Sequence, residues 1–211
     1  MSKINGIYAA SISILDENLK LDIHKTIRHA ENLIKSGCHG VVIFGSTGQS
    51  QLISLEEKFE LIQNISKSIF KDKFIIGTGL NSLHDTISLI KISNSYNFNN
   101  FLIMPPAYYM YEDKDVIRFY IKLIEKLSNC KIILYNFEKL SVFGVRCKTE
   151  CRKFRLVFLA VRNLCENASF PPNFLTVVLI FLCRQRLRTK NCDVFKSNLV
   201  SFSFVWVSVS V

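Results

Sequence analysis

Five short apolar runs recur roughly every 30 residues through the first 140 positions, separated by helix-length amphipathic stretches. This alternation constrains the fold more than any other feature. The runs lie at 6–14, 41–44, 74–76, 101–104 and 131–135, and the stretches between them at 22–36, 54–69, 82–96 and 114–128. Runs that are apolar almost throughout suit strands buried on both faces, as in a parallel sheet covered by helices. In 22–36 the apolar residues Ile23, Ile27, Ala30, Leu33 and Ile34 stand at helical spacing, and Gly37 ends the run. Ser54 followed by Glu57 is a capping-box pair. It predicts a helix whose core contacts are Phe59, Leu61, Ile62 and Ile65. A full (β/α)8 barrel needs about 250 residues. A doubly wound open sheet would show a similar pattern, but no Gly-x-Gly-x-x-Gly follows any run, so a dinucleotide site has no support. The expected class is therefore α/β, an incomplete (β/α)8 TIM barrel of about five β/α units followed by a segment that does not match it.

The break falls near residue 141, which divides the chain into an N-terminal barrel part (1–140) and a basic, Cys- and Arg-rich tail (141–211). The formal charge of +10 is unevenly spread: sixteen basic against fourteen acidic residues before the break, eleven against three after it. Five of the seven cysteines lie in the tail, whereas seven of the eight glycines and all four histidines precede it. So abrupt a change suggests a tail that is not native to the barrel, read from a shifted frame or from non-coding sequence. Translating the coding DNA in the other two frames tests that expectation. The rival reading, a basic appendage for nucleic acid, rests on Arg184, Arg186, Arg188 and Lys190 near several Phe residues. A charge run is more often simply a solvated surface, so a nucleic-acid partner is not expected. Cys147 and Cys151 have a ligand-like spacing without a matching second pair, and no metal site follows. The terminal alternation Phe202, Phe204, Trp206 would form an edge-seeking strand.

No apolar run reaches the roughly 18–20 residues of a membrane-spanning helix; the longest, 174–183, has ten and runs into Arg184. The first residues carry one lysine and no long apolar stretch, so neither a secretory signal nor a membrane partner is expected, and the location expected is the cytoplasm.

In β/α barrels the chemistry sits where the strands end. The second run ends in Gly45-Ser46-Thr47-Gly48-Gln49, whose hydroxyls and amide N–H groups suit a carboxylate. The fourth ends in Pro105-Pro106-Ala107-Tyr108-Tyr109 and the fifth in Tyr135-Asn136. Phenols beside a threonine hydroxyl form a proton relay in principle. Alone, each is a common turn or a packed ring; together, at one end of successive strands, they read as a site.

These motifs, with Gly77-Thr78-Gly79 and the helix start at Ser54, resemble in order and spacing those of the dihydrodipicolinate synthase and N-acetylneuraminate lyase superfamily, over about residues 4–140. The resemblance implies a homodimeric or homotetrameric lyase acting on pyruvate, a 2-oxo acid, without a cofactor. In such aldolases a lysine amine forms a Schiff base with the 2-oxo group. By position, Ser46, Thr47 and Gly48 would bind the pyruvyl carboxylate. Thr47 and Tyr135 would relay protons, and Tyr109 would complete the relay from a neighbouring subunit. Gln49 replaces the usual acid, and Glu138, Lys139 and Leu140 replace a proline and arginine of the pattern. The family's lysine ends the sixth strand. The corresponding region here reads Ala160-Val161-Arg162-Asn163-Leu164-Cys165, with no lysine between Lys153 and Lys190. No Schiff-base lysine is identifiable, and the chain as written is expected to be inactive. A catalytically dead subunit that binds 2-oxo acids or packs against active partners is the alternative.

Overall fold

The computed structural model describes residue 4, residues 6–109, 111–127 and 130–135, and the backbone of 180–181 and 204–207. Five parallel strands form its centre: β1 (Gly6–Ala10), β2 (Gly40–Ile43), β3 (Phe74–Gly77), β4 (Asn100–Ile103) and β5 (Lys131–Leu134). Each pairs with its sequence neighbour, with registers such as Val42 opposite Ile75 and Leu102 opposite Ile133. Four helices make the crossovers: α1 (Ile23–Lys35), α2 (Leu55–Ile65), α3 (Leu83–Ser95) and α4 (Asp113–Lys126). This is a half-barrel, five units of the alternation that the sequence predicts.

The helices begin where side chains can satisfy the exposed N–H groups of a first turn. The Asp22 carboxylate accepts from Lys25 N, and the Ser82 hydroxyl accepts from Asp85 N. At α2 the Ser54 hydroxyl accepts from Glu57 N while the Glu57 carboxylate accepts from Ser54 N at 2.9 Å, the reciprocal pair expected from the sequence. The other Glu57 oxygen accepts from Leu21 N at 2.8 Å and fastens the segment before α1 to α2.

The sheet separates two apolar layers. Outward-facing Val41, Ile43, Phe74, Ile76, Phe101, Ile103, Ile132 and Leu134 pack with residues of the helices. Inward-facing Val42, Ile75, Leu102, Met104, Ile133 and Tyr135 form a second cluster with Ile4. Both faces are dry, which is why the strands read as continuous apolar runs.

Two details differ from the sequence reading, and the expected terminal strand is present. β1 stops at Ala10 rather than continuing to residue 14, although Ser11 N still donates to the Val42 carbonyl. Ile14 N instead donates to the Thr26 hydroxyl on α1, which bends the chain away from the sheet. On α2, Leu61, Ile62 and Ile65 are buried and the partly buried Phe59 packs against the same cluster, as expected, but Lys58 is buried beside them as well. The terminal stretch does form a strand, β7 (Phe204–Val207), pairing antiparallel with β1 and with the two-residue β6 (Ile180–Phe181). The full order is β5-β4-β3-β2-β1-β7-β6. The basic run at 184–190, the tail cysteines, the region around Ala160 and residues 136–140 lie outside the described residues.

Candidate active site

The carboxyl ends of β2, β3, β4 and β5 surround a cavity of about 250 Å³ lined by Phe44, Gly45, Ser46, Gln49, Ser50, Gly79, Leu102, Met104 and Tyr135 among others. Since a water molecule takes about 30 Å³ in the liquid, this holds a small organic acid with room to spare.

Ser46 and Tyr135 meet across it. The Tyr135 hydroxyl donates to Ser46 Oγ at 3.0 Å, joining the end of β5 to the loop after β2. Tyr135 projects from the inward face and is nearly buried. Burial pushes its phenol above the ordinary value, and the Ser46 hydrogen bond pulls it part of the way back. A phenol held in this way keeps its proton at neutral pH.

The 45–50 loop is pinned from several sides. Gln49 N donates to the Ser46 carbonyl at 3.1 Å and Ser50 N to the Gly45 carbonyl. Ser13 Oγ donates to the Gly48 carbonyl at 2.6 Å. Gly48 packs so close to this segment that a Cβ there would lie 2.9 Å from the Ser11 carbonyl oxygen. Among the described residues, the amide N–H groups of Ser46, Thr47 and Gly48 have no hydrogen-bond partner. Three successive N–H groups without a protein acceptor suit an anion.

The remaining positions singled out from the sequence fall in different places. Thr47 is half-buried and lies beside the cavity rather than on its lining, and Gly48 is a buried pivot of the loop. Tyr109 is 66% exposed and stacks edge-on with Tyr108 at 5.0 Å and with Tyr111 at 6.3 Å, apart from the Ser46–Tyr135 pair. The Ala107 N–H donates to Asn81 Oδ1, tying this loop to the one after β3. Asn136 lies outside the described residues. The sequence reading passed over Ser50, Leu102 and Met104. The two apolar liners carry no chemical signature and are found only by following strand alternation to the inner face. Among the described residues there is no cluster of His, Cys, Asp and Glu able to hold a metal ion. Nor is any helix among them long and apolar enough to cross a membrane.

A half-barrel with its cavity at the carboxyl ends of the strands, walled by a Gly-Ser-Thr-Gly loop and a strand-end tyrosine, places the chain among the β/α-barrel proteins whose site lies at that end of the sheet. The model of the Dihydrodipicolinate synthetase family matches residues 3–152, and the chain belongs to that family. The match continues past the compositional break read near residue 141. A 4-hydroxy-tetrahydrodipicolinate synthase from Listeria monocytogenes is 32% identical over 143 residues, covering 67% of this chain and 47% of the relative. A probable mitochondrial 4-hydroxy-2-oxoglutarate aldolase from Emericella nidulans is 27% identical over 141 residues, covering 64% and 45%. Among solved structures, a variant of 2-keto-3-deoxygluconate aldolase from Sulfolobus solfataricus superposes with a TM-score of 0.64 at 25% identity, covering 72% of this chain and 50% of that one. Dihydrodipicolinate synthase from Agrobacterium tumefaciens shares the fold, with a TM-score of 0.66 at 20% identity, over 82% and 56%. The chain spans about half the length of the curated relatives it matches.

Proposed function

We propose that this chain carries the carboxylate-binding half of a pyruvate-dependent aldolase site and binds 2-oxo acids without forming a Schiff base. The observation that carries this reading is the Tyr135–Ser46 hydrogen bond at the rim of a loop whose successive amide groups await an acceptor. In the proposal Ser46, Thr47 and Gly48 hold the carboxylate of pyruvate, and Tyr135 supplies a proton near the 2-oxo group. Schiff-base formation needs a neutral amine at that carbonyl. The stretch where the resemblance places the lysine has none, so turnover is not expected.

The same reading gives Tyr109 to a partner subunit. Tyr108 and Tyr109 are 81% and 66% exposed, and exposed aromatic surface of this kind suits an interface between copies of the chain. It also keeps the protein in the cytoplasm, in line with the lack of a membrane-length apolar helix among the described residues.

Calorimetry with pyruvate, paired with borohydride trapping and mass spectrometry on the full chain, tests the proposal. Saturable binding without a trapped adduct is the expected outcome. An adduct would show that a reactive amine exists and would overturn the reading that no Schiff base forms. Absence of binding would remove the site altogether.

A further inference from the structure

Lys58 is the only lysine among the described residues that is fully buried, and the site as read above makes no use of it. Its side chain runs from α2 to the carboxyl ends of two strands. Nζ donates to the Thr78 carbonyl, just beyond β3, at 3.2 Å and lies 5.8 Å from the centre of the Phe44 ring, just beyond β2. Among the described residues it forms no ion pair. A buried cation normally finds a carboxylate, because removing it from water is costly unless an opposite charge compensates. Here it has a carbonyl and the face of a ring instead.

That carbonyl is a meeting point. Ser50 Oγ also donates to it at 3.2 Å, so two elements converge on one oxygen. Phe44 and Ser50 both line the cavity, and Lys58 stands behind them. The backbone here is strained: φ is +54° at Phe44 and +50° at Gln49, in the left-handed region that side chains avoid. Such residues persist only where their surroundings over-determine them. Gly79, at φ +54°, completes the arrangement, since a side chain there would collide with Ser50 Oγ.

We propose that Lys58 is a positioning residue for this site: by tying the Thr78 carbonyl and the Phe44 ring to α2, its ammonium holds the ends of β2 and β3 in the strained arrangement that presents the 45–49 loop to a carboxylate. A methionine would fill the same space at lower cost, so packing alone does not account for an ammonium. The inference rests on the reading of that loop as a carboxylate site.

The test compares the full-length parent with Lys58→Met, Lys58→Arg and Lys58→Gln by two measurements. Amide hydrogen exchange and chemical shifts at 45–50 and 78–80, taken without ligand, report the order of the loop. Calorimetry with pyruvate reports affinity. Lys58→Met is expected to stay folded, to lose protection at the Gln49 and Ser50 amides, and to bind pyruvate about tenfold more weakly, the scale of one charge-assisted hydrogen bond. Lys58→Arg should restore most of both. If Lys58→Met does not fold, Lys58→Gln takes its place, with the same loss expected against Lys58→Arg. Unchanged exchange and shifts in the uncharged variant, or equal effects in the charged and uncharged variants, overturn the role given to Lys58. A parent chain that fails to bind pyruvate overturns the carboxylate reading instead, and exchange at the loop then decides the Lys58 question by itself.

Discussion

The two faces of the sheet are made from alternate residues of the same short strands, yet they do different work. The outward residues are covered by helices that each strand's own crossover supplies, so that layer is assembled from neighbours in sequence. The inward residues form a smaller cluster, and three of them, Leu102, Met104 and Tyr135, continue into the walls of the cavity. Along β4, Phe101 and Ile103 hold up the fold while Leu102 lies against the cavity. Stability and binding are thus separable by strand parity, one residue apart.

The strongest way to break this contrast is Phe101→Ala. Phe101 is fully buried on the outward face, and its truncation should cost about 3–5 kcal/mol in urea denaturation. Leu102→Ala, on the facing side of the same strand, should cost about 2 kcal/mol, because the opened space joins a cavity that water can enter, and should alter pyruvate affinity as well. Equal losses from the two variants would erase the distinction between the faces. Tyr135→Phe should cost only about 0.5–1.5 kcal/mol, the worth of one hydrogen bond, while weakening pyruvate binding several-fold in calorimetry.

Two titrations probe the outer layer more gently. Burial lowers the Lys58 pKa to about 8 from an ordinary value of 10.5. Between those pH values the unfolded chain keeps a proton that the folded chain has lost, so folding stability should rise with pH across the window. Lys58→Met should flatten that rise in melts taken between pH 7 and 10.5. Hydrogen bonds from Leu21 and Ser54 hold the Glu57 carboxyl below its ordinary value of 4.5. Its contribution is present above that value and fades as acid carries the pH through the lower folded-state pKa. Glu57→Gln should therefore lessen the acid sensitivity of the melting temperature by a small but measurable margin.

Much of the architecture was legible beforehand because each unit announces itself locally. Apolar runs marked the strands, Ser54 and Glu57 marked a helix start, and the loops after β2 and β3 carried their glycines openly. What stayed hidden depends on distant partners. The helical pattern places Lys58 inward as surely as Leu61, but a charged side chain is read as solvent-facing unless its acceptor is known, and the Thr78 carbonyl lies 20 residues away. Ser46 and Tyr135 were both singled out, but their direct bond could not be read from sequence. Tyr109 was expected in the relay only through a second subunit, and within one chain it stands clear of the cavity.

The link between Ser46 and Tyr135 closes a loop of 89 positions. Contacts of such long range form slowly, because the entropy of bringing distant segments together is lost before any contact repays it. Closing the pocket is therefore expected to follow the local helices, so refolding followed by stopped-flow should show helix signal before pyruvate can bind. A small acid that binds only the finished pocket would act as a late-stage folding aid, pulling nearly completed molecules over to the native side.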